Sequence, residues 1–293
     1  MNAYVFPGQG SQFPGMGKDL YDQHRTAKIL FESANEILDF DITKIMFEGT
    51  KEELKQTRVT QPAIYIYSVI VTKIMGSKFQ PDALAGHSLG EFSALAAAET
   101  ISFDSGLRLV SQRAEAMQMA CDVEDGTMAA ILGLDDEKVV EICRQTQGVV
   151  VAANFNCPGQ LVISGSVNAV KSACENMRES GAKRAILLPV GGAFHSPLME
   201  PARVKLANAI ENTNFTSPIC PVFQNVVAEA VTDSLAIKKN LVAQLTTSVR
   251  WTQTIEKMVA HGIKNFIEVG PGKVLQGLIK KINQETNISS AKY

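Results

Sequence analysis

Residues 84–92 read Leu84-Ala85-Gly86-His87-Ser88-Leu89-Gly90-Glu91-Phe92. Leu84-Ala85 is a brief apolar run suited to a buried strand, and residues 91–98 are dense in good helix formers. Between them Gly86-His87-Ser88-Leu89-Gly90 fits G-x-S-x-G in the strand-to-helix setting that gives the pattern its meaning. A sharp turn at that point exposes the Ser88 hydroxyl, and small residues on both sides permit it. The same turn sets the Leu89 amide at a helix start, where it can donate to a developing oxyanion. A strand, a tight turn and a helix in this order predict an α/β fold: a hydrolase-like large domain built on a parallel sheet.

Working outward, Tyr4-Val5-Phe6 is a short apolar strand running into the loop Pro7-Gly8-Gln9-Gly10-Ser11-Gln12. Helical periodicity covers residues 27–38 and 61–75. A further helix begins near Asp104, read as its N-cap, and passes through Arg113 to Ala120. After Asp125-Gly126 the rhythm changes. A strand over 128–132 leads to a helix capped by Asp135 and reaching about Gln147. Next come a strand over 149–153, a turn at Asn156-Cys157-Pro158-Gly159 and a strand over 161–164. A helix over 167–180 and a strand over 185–188 complete the set. That order, β-α-β-β-α-β over about 65 residues, is the ferredoxin-like split arrangement. Beyond it lie a Gly-rich loop over 190–197, a helix over 198–212, strands within 221–227 and over 266–269, the turn Gly270-Pro271-Gly272 and a closing helix over 275–282. The expected organisation is a large α/β catalytic domain from 1–124 and 190–293, interrupted by a ferredoxin-like small domain over 125–189.

Composition narrows the function classes. With 45% hydrophobic residues the 293-residue chain can bury a sizeable core. A net charge of -2 supplies no basic field for nucleic acid or an anionic membrane. The five cysteines, Cys121, Cys143, Cys157, Cys174 and Cys220, are odd in number and scattered, without C-x-x-C spacing. Neither a disulfide framework nor a zinc site is expected, and a reducing compartment is favoured. The start MNAYVFPGQG is no signal peptide, and no apolar run reaches membrane-spanning length. The expectation is a cytoplasmic monomer with no metal, no nucleic acid and no membrane contact.

A serine nucleophile needs a base, and the chain has four histidines. His24 lies in a polar helical stretch. His261 precedes Gly262 near a helix C-terminus, where a cation is favourable anyway. His87 adjoins Ser88, and strain in the turn points its ring elsewhere. By elimination His195, in the Gly-rich loop, is the candidate base. No carboxylate presents itself as a third member, because Asp135 and Glu175 fall in the inserted domain; a backbone carbonyl can orient the imidazole instead. That gap argues against simple hydrolysis. Arg113, inside Leu109-Val110-Ser111-Gln112-Arg113-Ala114-Glu115-Ala116-Met117, reads first as a solvated arginine paired with Asp122 or Glu115. The competing reading is a partly buried guanidinium that takes a substrate carboxylate through two parallel hydrogen bonds. The loop at Gly8-Gln9-Gly10 lacks the lysine of a phosphate-binding loop and the spacing of a dinucleotide fingerprint. An amide near Gln9 completing an oxyanion hole suits it better.

Taken together, Phe6-Pro7-Gly8-Gln9-Gly10-Ser11-Gln12, Gly86-His87-Ser88-Leu89-Gly90, Gln112-Arg113, Phe194-His195-Ser196 and Val269-Gly270-Pro271-Gly272 resemble, in the same order, the malonyl-CoA:acyl carrier protein transacylases. The resemblance spans essentially the whole chain. It implies Ser88 as nucleophile and His195 as its base, with the ring oriented by the backbone carbonyl of Gln244. It also implies an oxyanion hole from the amides of Gln9 and Leu89, and Arg113 as the clamp on the malonyl carboxylate, reversing the first reading of that residue. Phe194 is implied as a specificity residue, crowding an α-methyl branch. Malonyl-CoA and acyl carrier protein would be the partners, no cofactor would be needed, and the setting would be fatty acid biosynthesis. An acidic carrier calls for basic docking residues; Lys183, Arg184, Lys273, Lys280 and Lys281 are candidates, each equally readable as a solvated charge. Two other classes stay open at this level: a serine hydrolase or thioesterase, and a silent binding scaffold.

Overall fold

The computed structural model describes residues 1–293. Its strands are β1 (Asn2–Phe6), β2 (Ala83–Gly86), β3 (Gly126–Leu132), β4 (Val150–Cys157), β5 (Gln160–Ser166), β6 (Arg184–Leu187), β7 (Val222–Gln224), β8 (Glu229–Val231), β9 (Asn265–Glu268) and β10 (Asn287–Ser290). They form two sheets, one ordered β10-β9-β1-β2-β7-β8 and one ordered β4-β5-β3-β6. In the larger sheet every pairing is parallel except β7 with β8.

Side-chain alternation explains why helices cover both faces of the large sheet. Along β1, Tyr4 and Phe6 enter a core shared with helices Arg25–Leu38, Thr57–Met75, Gly90–Ala97 and Phe103–Val123. Ala3 and Val5 point the other way, joining Ala83 and Ala85 of β2 under helices Trp251–Ala260 and Val274–Ile282. The register pairs Phe6 with Gly86. The loop after β1 and the turn after β2 therefore emerge side by side at the carboxyl ends of adjacent parallel strands, where open α/β sheets place their sites.

The second sheet has the ferredoxin-like strand order, all antiparallel. Ala129 and Ile131 of β3 and Leu161 and Ile163 of β5 pack under helices Asp136–Gln145 and Val167–Glu179, giving this unit a core of its own. Met128, Val162 and Ala153 face instead toward the larger core. The two units are also joined through main chain. Phe155 N donates to Val249 O at 2.9 Å, Val249 N to Ala153 O at 2.8 Å, and Ser248 Oγ to Ala152 O at 2.6 Å.

Three local expectations need correction. The long helix after the Ser88 turn is capped by Ser102, whose Oγ accepts from Ser105 N; Asp104 is its first-turn acid, which suits the helix dipole equally well. Strand β4 continues through Asn156 and Cys157, leaving Pro158-Gly159 as the turn, because its ladder to β5 runs on through Phe155 with Leu161 and Cys157 with Gln160. The helix expected from Gln61 starts at Thr57 and tolerates Pro62 inside its second turn. No helix is long and apolar enough to cross a membrane.

Candidate active site

Ser88 sits at the end of β2 with φ of 53°, a left-handed conformation that a side chain rarely adopts. The flanking glycines are steric requirements. A side chain on Gly86 would overlap the Gly90 backbone, and one on Gly90 would run into Phe6 O. His87 N donates to Phe6 O at 2.9 Å, tying the turn to β1. The helix Gly90–Ala97 starts immediately beyond.

The Ser88 Oγ lies 2.8 Å from His195 Nε2, across 107 residues of chain. His195 Nδ1 is 2.8 Å from Gln244 O. A carbonyl accepts only, so Nδ1 carries the proton and Nε2 is left as the acceptor for the serine hydroxyl. The ring is buried, 4% exposed. Burial foremost, with the Arg113 charge next, pushes its pKa down to about 3. It is therefore a neutral base. His87 turns away: its Nε2 is 2.8 Å from Asn156 Oδ1, and its ring meets Trp251 edge-on. His261 Nδ1 donates to Lys257 O at 2.7 Å, at the end of its own helix.

Arg113 is 1% exposed. Its Nη1 donates to Gln61 Oε1 at 2.6 Å, and its Nη2 to both Ser88 Oγ and Gln244 Oε1 at 3.2 Å. The Nε hydrogen has no acceptor. Neither Asp122 nor Glu115 pairs with it, so the solvated reading of this residue fails; Asp122 accepts from Gln118 instead. Burial lowers the guanidinium pKa to about 10, partly offset by Glu91, and it stays charged at neutral pH. A buried cation whose hydrogen-bond partners are two amides and a hydroxyl, with one donor spare, can take an anion.

Neither the Gln9 nor the Leu89 amide donates to any acceptor in the protein. Both residues line a cavity of about 130 Å³ together with His87, Ser88, Arg113, Met117, Met128, Phe194 and His195. Phe194 is held in place by a close fit, since a side chain on Gly192 would overlap Cys121 and the Phe194 ring. The cavity has room for a small acyl group, with Leu188 and Val190 extending its wall. A larger hollow of about 520 Å³ lies between Arg108 and Lys205, but its hydroxyls, Ser105 and Thr213, have no histidine or carboxylate beside them in the lining.

Gln9, Ser88, Leu89, Arg113, Phe194 and His195 thus line one cavity, and Gln244 stands behind it in contact with three of them. Sequence reading missed Gln61, Asn225 and the side chain of Gln244. Gln244 Nε2 donates to Ser88 O at 3.1 Å, so this residue touches Ser88, His195 and Arg113 together. Its only local signal is a glutamine on the buried face of helix Ser234–Gln244, in line with Ile237 and Leu241.

Residues 3–293 match the acyl transferase domain family. The malonyl CoA-acyl carrier protein transacylase of Bacillus subtilis (strain 168) is 46% identical over 286 residues, covering 96% of this chain and 90% of that protein. An acyl carrier protein S-malonyltransferase from Vibrio cholerae superposes with a TM-score of 0.95 at 43% identity, covering 99% of this chain and 96% of the other. A malonyl-transacylase solved in complex with its holo type II polyketide acyl carrier protein gives a TM-score of 0.94 at 40% identity, covering 99% and 94%.

Proposed function

This chain belongs to the acyl transferase domain family, and on that basis we propose that it moves a malonyl group from malonyl-CoA, through an ester on Ser88, to the phosphopantetheine thiol of acyl carrier protein. The observation that carries the proposal is a single oxygen, Ser88 Oγ, within reach of a neutral imidazole and a buried guanidinium at once.

In the first half-reaction the Ser88 proton passes to His195 Nε2 as Oγ bonds to the thioester carbon. The amides of Gln9 and Leu89 receive the oxyanion; one such donor is typically worth about 3 kcal/mol. The carbon–sulfur bond then breaks, and His195 returns its proton to the departing CoA sulfur. In the second half-reaction His195 takes the proton of the carrier thiol, the sulfur attacks the ester, and Ser88 leaves as a hydroxyl with the proton restored. Arg113 holds the malonyl carboxylate throughout, using Nε and an Nη2 released from Ser88. Gln244 O keeps the imidazolium stage oriented, replacing a carboxylate. Phe194 lines the wall against an α-branch, where one methyl counts for about 1–3 kcal/mol. The acyl group rides on the partner's thiol, so this chemistry calls for no cofactor.

We further read 125–189 as a ferredoxin-like domain inserted in the catalytic unit formed by 1–124 and 190–293, a division supported by its separate core. The five unpaired cysteines are in keeping with a cytoplasmic setting, and the site is complete within one chain, in keeping with a monomer.

The direct test is intact mass. Malonyl-CoA alone is expected to leave a covalent malonyl adduct on Ser88, which disappears when holo carrier protein is added. Folded protein that takes no adduct ends the proposal. A hydrolase would instead discharge the ester to water without the carrier.

A pH prediction follows from the base. His195 binds a proton only far below the ordinary histidine value, so protonation removes the base only in acid. The acid limb of kcat/KM should therefore lie well below pH 6. In Arg113→Ala, measured with acetyl-CoA, it should move upward because a nearby positive charge is gone. A parent limb at the usual histidine pKa would contradict the neutral buried ring.

A further inference from the structure

Two buried polar residues brace the Ser88 turn without lining the cavity. Asn225 follows β7, which runs parallel to β2 with Ala85 opposite Phe223, so it arrives beside the turn. Its side-chain amide spans that turn: Nδ2 donates to Gly86 O at 2.6 Å, and Oδ1 accepts from Ser88 N at 2.7 Å. These are the last carbonyl of β2 and the amide of a residue in left-handed geometry. Such conformations persist when their surroundings over-determine them.

Behind Asn225 stands Glu91, fully buried in the first turn of helix Gly90–Ala97. Its Oε2 accepts from Asn225 N at 2.7 Å and its Oε1 from Gln224 Nε2 at 3.0 Å. Gln224 is held in turn by Asn240 Nδ2, which donates to its Oε1 at 2.8 Å. Glu91 forms none of the ion pairs in the chain. Burial raises the Glu91 pKa to about 7, opposed by its hydrogen bonds and the Arg113 charge, and both of its oxygens are spent on the Gln224–Asn225 segment.

We propose that Asn225 is a positioning residue for the transfer reaction, gripping both backbone ends of the Ser88 turn, and that Glu91 acts through it by fixing the Asn225 main chain. The substrate in this proposal rests on the malonyl-transfer reading; the geometry does not.

The test compares two rates, each normalised to folded protein by near-UV circular dichroism. One is acylation of Ser88 by malonyl-CoA. The other is labelling of Ser88 by phenylmethylsulfonyl fluoride, a neutral reagent that needs the placement of Oγ but not the Arg113 charge. Asn225→Ala is expected to lower both rates by about 10- to 100-fold, with KM for malonyl-CoA changed by less than about twofold. Glu91→Gln should lower both by about three- to tenfold, and the double variant should be no slower than Asn225→Ala alone, since both act along one path. Rates within about twofold of the parent in Asn225→Ala, or losses that multiply in the double variant, would overturn the proposal. If Asn225→Ala does not fold, Glu91→Gln, which keeps the side-chain shape, decides by the same two rates. A parent that takes the sulfonyl label but no malonyl refutes the transfer reading, and the labelling rates then judge the grip by themselves.

Discussion

Ser88→Ala should leave no covalent adduct and lower malonyl transfer by about 10⁴-fold or more, the scale seen when the nucleophile of a serine–histidine pair is deleted. Binding should survive. The Gln9 and Leu89 amides and the Arg113 guanidinium do not depend on the hydroxyl for their positions: Arg113 retains Gln61 and Gln244 as partners. Malonyl-CoA affinity, measured by calorimetry on the variant, is therefore expected to change little while turnover vanishes. The sharpness of this split is what separates covalent transfer from direct attack by one thiol on the other's thioester. A direct route would use the oxyanion donors and His195 but have no need of the serine. An adduct-free variant that still transfers at a substantial fraction of the parental rate would show that route to be the real one.

The second large effect is one of selectivity. Arg113→Ala is expected to lower kcat/KM for malonyl-CoA by about 10²-fold or more, because a carboxylate brought into a buried site without its partner typically loses 3 kcal/mol or above. Acetyl-CoA brings no carboxylate, and its rate should hold or rise. The rise has a physical source. Arg113 Nη2 donates to Ser88 Oγ at 3.2 Å, occupying a lone pair of that oxygen, and its charge adds to burial in suppressing the basicity of His195. Removing the guanidinium lifts both restraints for a neutral acyl group. Competition between malonyl-CoA and acetyl-CoA at equal concentration, read by mass on Ser88, measures the reversal directly. Equal losses on both substrates would show Arg113 to be a scaffold residue and no clamp.

Much of this site can be read from local chemistry. The Ser88 turn is legible because its signal is local, a glycine on each side, a strand before and a helix after, although Gly90 is required by Phe6 O of the neighbouring strand. The ferredoxin-like unit is legible for the same reason, since its alternations and caps follow one another along 126–187. Arg113 is different. Its helix shows apolar and polar residues on several sides, and whether the guanidinium meets water depends on how helices Thr57–Met75 and Phe103–Val123 pack, a fact of distant contacts. The residue-by-residue reading accordingly favoured solvent, and only the whole-chain resemblance pointed inward. Asn225 and Gln244 are hidden more deeply. Their roles come from hydrogen bonds across 137 and 156 residues to the Ser88 backbone, which no periodicity encodes. Glu91 was passed over as a good helix former, because a carboxylate in a first turn is ordinary and its burial is not visible locally.

The stitching of β4 to the Ser248–Arg250 segment leaves the small sheet with unequal borders. On the β4 side the margin is sealed by main-chain bonds to Val249, and Thr252 Oγ1 adds another to Phe155 O at 3.1 Å. On the β6 side only Arg178 Nη2 adds a bond, to Ala185 O at 2.7 Å, and Ile186 and Leu187 are each nearly half exposed. Amide hydrogens on the β6 margin are expected to exchange before those on the β4 margin, where several bonds must open at once. The β6 margin leads through Leu188 and Val190 into the cavity wall. The more lightly tied margin of the smaller unit therefore borders the chamber, while its bonded margin lies against the segment at Val249.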